Sequence, residues 1–294
     1  MNAFAKATAA AALCAVFVSG CANTASTSHW GPQPDLPRPL AAEMPVEVRV
    51  GASEIAVHVA PGNAMAYGGG LLGVLVQTAV DSSRARGAEG RVAQIRDMLV
   101  GNDYRQVSGE LVEAHLDRGL VAPVLHVETS NATIEQQRAA GDLATRRNVM
   151  VIEHDYYFND QFTHLQVELI ARIGDRVVVD RRVNEENMRY YNRFQYTAPL
   201  PGGAAIRGRD ERAEAWFALG GEAIDGMIRE GLRQTIEMLN YDLAGAQGEV
   251  RGERTAYVDR GLTMRGVAVK RDEGEGRVWV RGSRAPSLHS VPAP

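Results

Sequence analysis

Three segments of strand-forming composition, joined by very short polar turns, restrict the folding of this 294-residue chain more than any other feature. Val149–Phe158 and Phe162–Ile173 are rich in β-branched and aromatic residues, and only Asn159, Asp160 and Gln161 lie between them. Ile173-Gly174-Asp175-Arg176 then leads into Val177–Asp180. Segments of this length and composition read as strands, and glycine, asparagine and aspartate at the joints supply the positive φ that tight hairpins need. The spacing therefore predicts an antiparallel meander.

Other elements are placed around that meander. Val46–Val50 alternates strictly, and Gly51-Ala52-Ser53 is expected to turn it into Ile55–Val59 as a β-hairpin. Ala64–Val80 is the most apolar stretch after the first twenty residues, with the run Gly68-Gly69-Gly70-Leu71-Leu72-Gly73, and it reads as a core-packed helix rather than one inserted in a bilayer. Asp81–Arg105 continues helically, with Val92, Ile95, Met98 and Leu99 on one side. Ser108–Leu120 predicts a further helix, Val124–Thr129 a strand, and Ile134–Thr145 a short polar helix or loop. From an expected cap at Asp210 to Leu239, apolar or small residues recur at helical spacing through Trp216, Ile224, Ile228, Leu232 and Ile236. After Gly245 the chain turns polar, with a weak hairpin pattern between Val267–Val269 and Val278–Val280 and a disordered end expected from Pro286. The fold class expected is α+β: a mixed, largely antiparallel sheet, with a long amphipathic C-terminal helix and an apolar glycine-rich helix packed against it.

The N-terminus carries a different kind of information. A short segment with the single charge Lys6 precedes the apolar run Ala7–Val18 and then Val18-Ser19-Gly20-Cys21. This three-part layout is that of a secretory signal, and the run is well short of the about 20 residues a spanning helix needs. The tetrad resembles the lipobox of bacterial lipoproteins. That resemblance implies acylation of Cys21, cleavage before it, and attachment to a membrane through lipid. Ala22 after the cysteine implies, by the same resemblance, the periplasmic face of the outer membrane rather than the inner membrane. The organisation expected is a lipoprotein signal peptide at 1–20, a Ser/Thr/Pro-rich tether at 21–45, an α+β domain at 46–245 and a polar extension at 246–294. Pro32, Pro34, Pro37 and Pro39 stiffen the tether.

Function is less legible. Cys14 and Cys21 are the only cysteines, so the processed domain has no thiol for a disulfide, a nucleophile or a soft metal site. The formal charge of -4 becomes -5 once Lys6 leaves, and no basic stripe is present, which argues against nucleic-acid binding. Gly68, Gly70 and Gly73 match a dinucleotide fingerprint in letter, but no acid-terminated second strand follows, and no cofactor is expected. Serine-hydrolase, zinc-protease and P-loop motifs are missing. His154, Asp155 and His164 are the one His/Asp grouping on neighbouring strands and would support an alternative reading as an anchored hydrolase or metal-dependent enzyme acting on envelope material. The expected contact surface is an aromatic loop within Asn184–Gly208, with Arg189, Tyr190, Tyr191, Arg193, Phe194 and Tyr196 as candidate partner-contact residues. In element order and lipid anchor the chain resembles periplasmic envelope lipoproteins such as the TolB N-terminal domain, the curli secretion lipoprotein and the activators of penicillin-binding proteins. The resemblance implies a class of role: non-catalytic docking or assembly in the cell envelope, with an envelope protein or a second copy as partner.

Overall fold

Strands dominate the chain, in the order β1 (Glu43–Val50), β2 (Ala56–His58), β3 (Val124–Ser130), β4 (Arg146–Asn159), β5 (His164–Val179), β6 (Arg182–Pro199), β7 (Arg254–Asp259), β8 (Leu262–Asp272), β9 (Arg277–Gly282) and β10 (Ser287–Pro292). The structure, a computed structural model, describes residues 38–50, 55–58, 86–130, 134–141, 143–180, 182–245, 254–259, 262–282 and 287–293. The helices among these are α1 (residues 86–99), α2 (Tyr104–His115), α3 (Ile134–Ala140), α4 (Arg209–Leu219) and α5 (Gly221–Leu243).

The ten strands among the described residues belong to one mixed sheet, ordered β3-β1-β4-β5-β6-β10-β9-β8-β7, with β2 beside β4. The meander β4-β5-β6 is its centre, antiparallel over most of its length. The turn expected at Ile173–Arg176 is not made: β5 runs through it to Val179 with a register irregularity at Gly174, so Val177–Val179 ends β5 and the third strand is β6. Alternation along these strands sends Met150, Ile152, Tyr156 and Phe158, Val167, Leu169, Ala171 and Ile173, and Phe194, Tyr196 and Ala198 to one buried face. The helices cover that face: Val92, Ile95 and Leu99 of α1, Val112 of α2, Trp216 of α4, and Ile224, Ile228, Leu232, Ile236 and Leu239 of α5 join the same core. A smaller core of Tyr257, Ala268, Val278, Val280 and Val291 lies among β7 to β10.

The expected fold class is overturned. The long helix is not C-terminal: four strands follow it, and the sheet rather than a helical layer is the main body. β7 to β9 hide in a polar, arginine- and glycine-rich sequence because only alternate residues, such as Ala268 and Val280, need be apolar. Ser287–Pro292, expected to be disordered, is a buried strand, parallel to β6 and antiparallel to β9. The continuous helix expected from Asp210 is divided at Gly220, which has φ +83, and its N-cap is Gly208, with Asp210 in the first turn. Glycine next to the break is imposed by packing, since a Cβ on Gly221 would stand 2.6 Å from the Met98 carbonyl oxygen of α1.

The first hairpin is corrected as well. β1 and β2 do not pair with each other; both run parallel to β4, β1 along Met150–His154 and β2 along Tyr157–Asn159. Local alternation is satisfied by a neighbour of either direction, and β4 is long enough to seat both short strands in succession. The glycine-rich segment expected to be an apolar helix at 64–80 lies outside the described residues, as does Cys21. Among the described residues no helix is long and apolar enough to cross a membrane.

Candidate functional site

The face of the sheet opposite the main core carries a lattice of charge. Between the buried positions of β1, β4, β5 and β6 stand Glu47, Arg49, Glu153, Asp155, Glu168, Arg172, Tyr191 and Arg193. Glu47 is the hub at one end, taking Arg49 at 2.7 Å, Arg176 at 2.6 Å and Arg146 at 3.3 Å. Burial raises the Glu47 pKa, but hydrogen bonds from Arg49 and Arg176 and their charges outweigh it, so the carboxyl sits below its ordinary range. Arg172 pairs with Glu153 and, at 3.2 Å, with Glu185. Arg193 bridges Glu168 at 3.2 Å and Asp259 of β7 at 2.8 Å, which ties the far end of the sheet back over its centre.

The β5–β6 ribbon runs past its neighbours at this end. β4 pairs β5 only as far as Arg176, and β10 pairs β6 only from Arg193 to Tyr196. Val179 and Met188 on the protruding part are 51% and 41% exposed. Its root is clamped by Asp175, whose carboxylate accepts from the Asn148 backbone N–H and from Asn187 Nδ2, both at 2.8 Å. Those two bonds, first the backbone one, hold the Asp175 pKa below its usual value. Asn148 and Asn187 have φ +52 and +48, a conformation asparagine tolerates better than most residues.

The six candidate contact residues do not form an exposed aromatic loop. They lie on β6, where alternation divides them between two faces. Tyr190, Phe194 and Tyr196 are buried against the helices; Tyr190 donates to Asp242 Oδ2 at 2.8 Å, and the Arg277 guanidinium lies 4.1 Å from the Tyr196 ring centre. Arg189, Tyr191 and Arg193 face the other way, Arg189 exposed and Tyr191 and Arg193 half-buried. The rings in this segment are chiefly core residues of a strand whose polar alternate positions gave it the look of a loop.

His154, Asp155 and His164 do not converge either. His154 is fully buried on the helix side, with Ser108 Oγ 2.5 Å from Nδ1 and Thr235 Oγ1 3.4 Å from Nε2, and burial lowers its pKa to about 3. Asp155, one residue on, points to the opposite face, and its pKa is raised by burial. His164 stands at the far end of β5 beside Thr163, whose Oγ1 is 2.7 Å from its Nδ1. Among the described residues no group of three or more His, Cys, Asp or Glu side chains is placed to hold a metal ion.

What the residue-by-residue reading missed is the charge lattice. Its signal was present as charges at every second position: Glu47 and Arg49, Glu153 and Asp155, Glu168 and, two register steps on, Arg172. Comparison with known protein families, with curated proteins and with solved structures returns no match.

Proposed function

We propose that this protein is a lipid-anchored lipoprotein of the periplasmic face of the outer membrane, with a non-catalytic docking role in the cell envelope. The observation that carries the reading is Val18-Ser19-Gly20-Cys21 at the end of a short apolar run preceded by Lys6. A tether with four alternating or near-alternating prolines then separates the acyl chain from the folded body. The docking half is supported by the protruding β5–β6 ribbon and the charge lattice at its base, a surface that combines exposed apolar side chains with arginines.

The test is direct. Mass spectrometry of the mature protein from bacterial membranes should find Cys21 as a diacylglyceryl-modified N-terminus, and Cys21→Ser should accumulate as uncleaved precursor. An intact leader, or a mature N-terminus elsewhere, overturns the anchor. A photo-crosslinking residue at Val179 should capture a specific envelope protein or a second copy, while the same residue at exposed Val100, away from the ribbon, should not. Equal capture at both positions overturns the docking surface.

A further inference from the structure

The two ends of the sheet are finished differently. At one end β7 is folded back over the polar face: its Val258 carbonyl oxygen accepts from Gln166 Nε2 of β5 at 3.2 Å, and its Asp259 pairs with Arg193 of β6 at 2.8 Å. At the other end β3 pairs with β1 on one side and, among the described residues, with no strand on the other. Natural sheets guard such an edge with lysine, proline, a bulge or a very short strand, because a row of unpaired N–H and C=O groups is a template for another strand. β3 has none of these guards. Val124–Ser130 is seven residues without Lys, Pro or Gly, its register with β1 is unbroken, and no residue in it has a positive φ. Val124, His126 and Glu128 stand exposed on the polar face of the sheet, and Leu125 and Val127 turn half-buried to the helix side.

We infer that this edge pairs with β3 of a second copy, antiparallel about a two-fold axis at Val127, so that two sheets join into one. A two-fold axis perpendicular to the sheet keeps like faces together, so the pairing must be centred on a residue. Centring on Val127, the middle of β3, aligns all seven residues and sets His126 opposite Glu128 twice, once on each side of the axis. Centring one residue later sets Glu128 against Glu128, and one residue earlier sets Glu128 against Val124; both also shorten the ladder. In the Val127 register the His126 ring, whose Nε2 lies 2.5 Å from Glu43 Oε1, stands between that carboxylate and Glu128 of the second copy, which Arg146 of that copy holds at 2.7 Å. Donors and acceptors thus alternate in one row across the junction. On the helix side Val127 meets Val127 and Leu125 meets Thr129, which covers apolar surface the edge leaves half-open. The edge is its own complement in length and in charge, and that is what selects a second copy as its occupant.

The experiment uses the full-length protein in the membranes that hold it. Val127→Cys leaves the edge charges in place and puts one thiol on the axis, opposite its own copy. Copper-phenanthroline oxidation should convert most of this variant to a covalent dimer that reductant reverses. Val124→Cys lies on the same strand and is more exposed, but in this register its two thiols are six residues, about 20 Å, apart, and its dimer should be about fivefold less or lower. Wild type, oxidised in parallel, sets the background from Cys14 and Cys21, so a failure of the anchor is seen separately. In uncharged maltoside micelles, sedimentation of the wild type should give twice the chain mass. Glu128→Arg, which sets Arg against His126 at two places in each dimer, should weaken association roughly tenfold or more. If that variant does not fold, the wild-type mass and the two cysteine variants decide the matter. A monomeric wild type, equal trapping at the two positions, or Val127→Cys joined to a different protein without covalent dimer overturns the inference.

Discussion

On the helix-covered face of the sheet the fully buried carboxylate of Asp242 accepts from Tyr190 at 2.8 Å, from Asn192 at 2.7 Å, and from both terminal nitrogens of Arg281 at 3.3 Å. On the opposite face, Glu47, Glu153, Glu168, Glu185 and Asp259 share Arg49, Arg146, Arg172, Arg176 and Arg193 in a branched lattice. Under the helices a lone anion joins α5 to β6 and β9, and two of its partners, Tyr190 and Asn192, are buried with it. In the lattice Glu47, Arg146, Arg172 and Arg193 each hold more than one partner, so the loss of one contact leaves another. The same residue types thus act as a fixed joint on one face and as an adaptable surface on the other.

The comparison can be broken at its strongest point first. Asp242→Ala strands Tyr190 and Asn192 in the core and takes the carboxylate from the partly exposed Arg281, and loss of one partner of a buried ion pair costs about 3–5 kcal/mol. Urea unfolding of the full chain should show a loss of that size; a loss under about 1 kcal/mol would mean that water replaces the carboxylate and that this face is no drier than the other.

Acid should probe both faces at once. His154 lies under the helices and His289 on the other side, its ring centre 4.1 Å from that of Tyr257 and its Nε2 2.8 Å from Ser287 Oγ; burial lowers the pKa of each to about 3. The unfolded chain takes up protons at these rings from about pH 6.5. The folded chain does so only near pH 3, so their contribution to stability is present above about pH 6.5 and is lost as the pH falls toward 3. Between pH 6.5 and 5 each ring should remove about 2 kcal/mol, and His154→Gln or His289→Gln should each flatten the slope, part of which stays with His164, whose pKa burial also lowers. A slope that only His154→Gln alters would show that His289 is wetter than its burial suggests.

The smallest effect belongs to the lattice. Glu153→Gln removes one partner of Arg172, but Glu185 stays 3.2 Å away, so the loss should be about 1 kcal/mol or less and should shrink further in salt. A larger loss would make the lattice a joint like Asp242.

How much of this was legible in sequence differs by region. The strands around 149–158 and 162–173 could be read because short turns and dense β-branched residues leave few other folds for such segments. The 184–199 segment was misread as a loop because its outward positions are Asn, Glu and Arg, and its inward ones include Tyr190 and Tyr196, which look like contact residues until the helices are placed over them. His154 and Asp155 were grouped because they are adjacent in sequence, the very property that sends them to opposite faces of a strand.

Sequence alone determined the signal-like start, the cysteine-free body, the pairing of the first two central strands across Asn159–Gln161 and the apolar stripe of α5, because each depends on spacing within a few residues of itself. Only the tertiary structure decided that β1 and β2 lie parallel along β4, that β10 returns to pair with β6, and that the long helix breaks at Gly220 against α1. Those outcomes depend on which distant backbone offers hydrogen-bond partners and room. The same holds for Arg49 and Arg172, which become neighbours only because β4 lies between their strands and places Glu153 beside both.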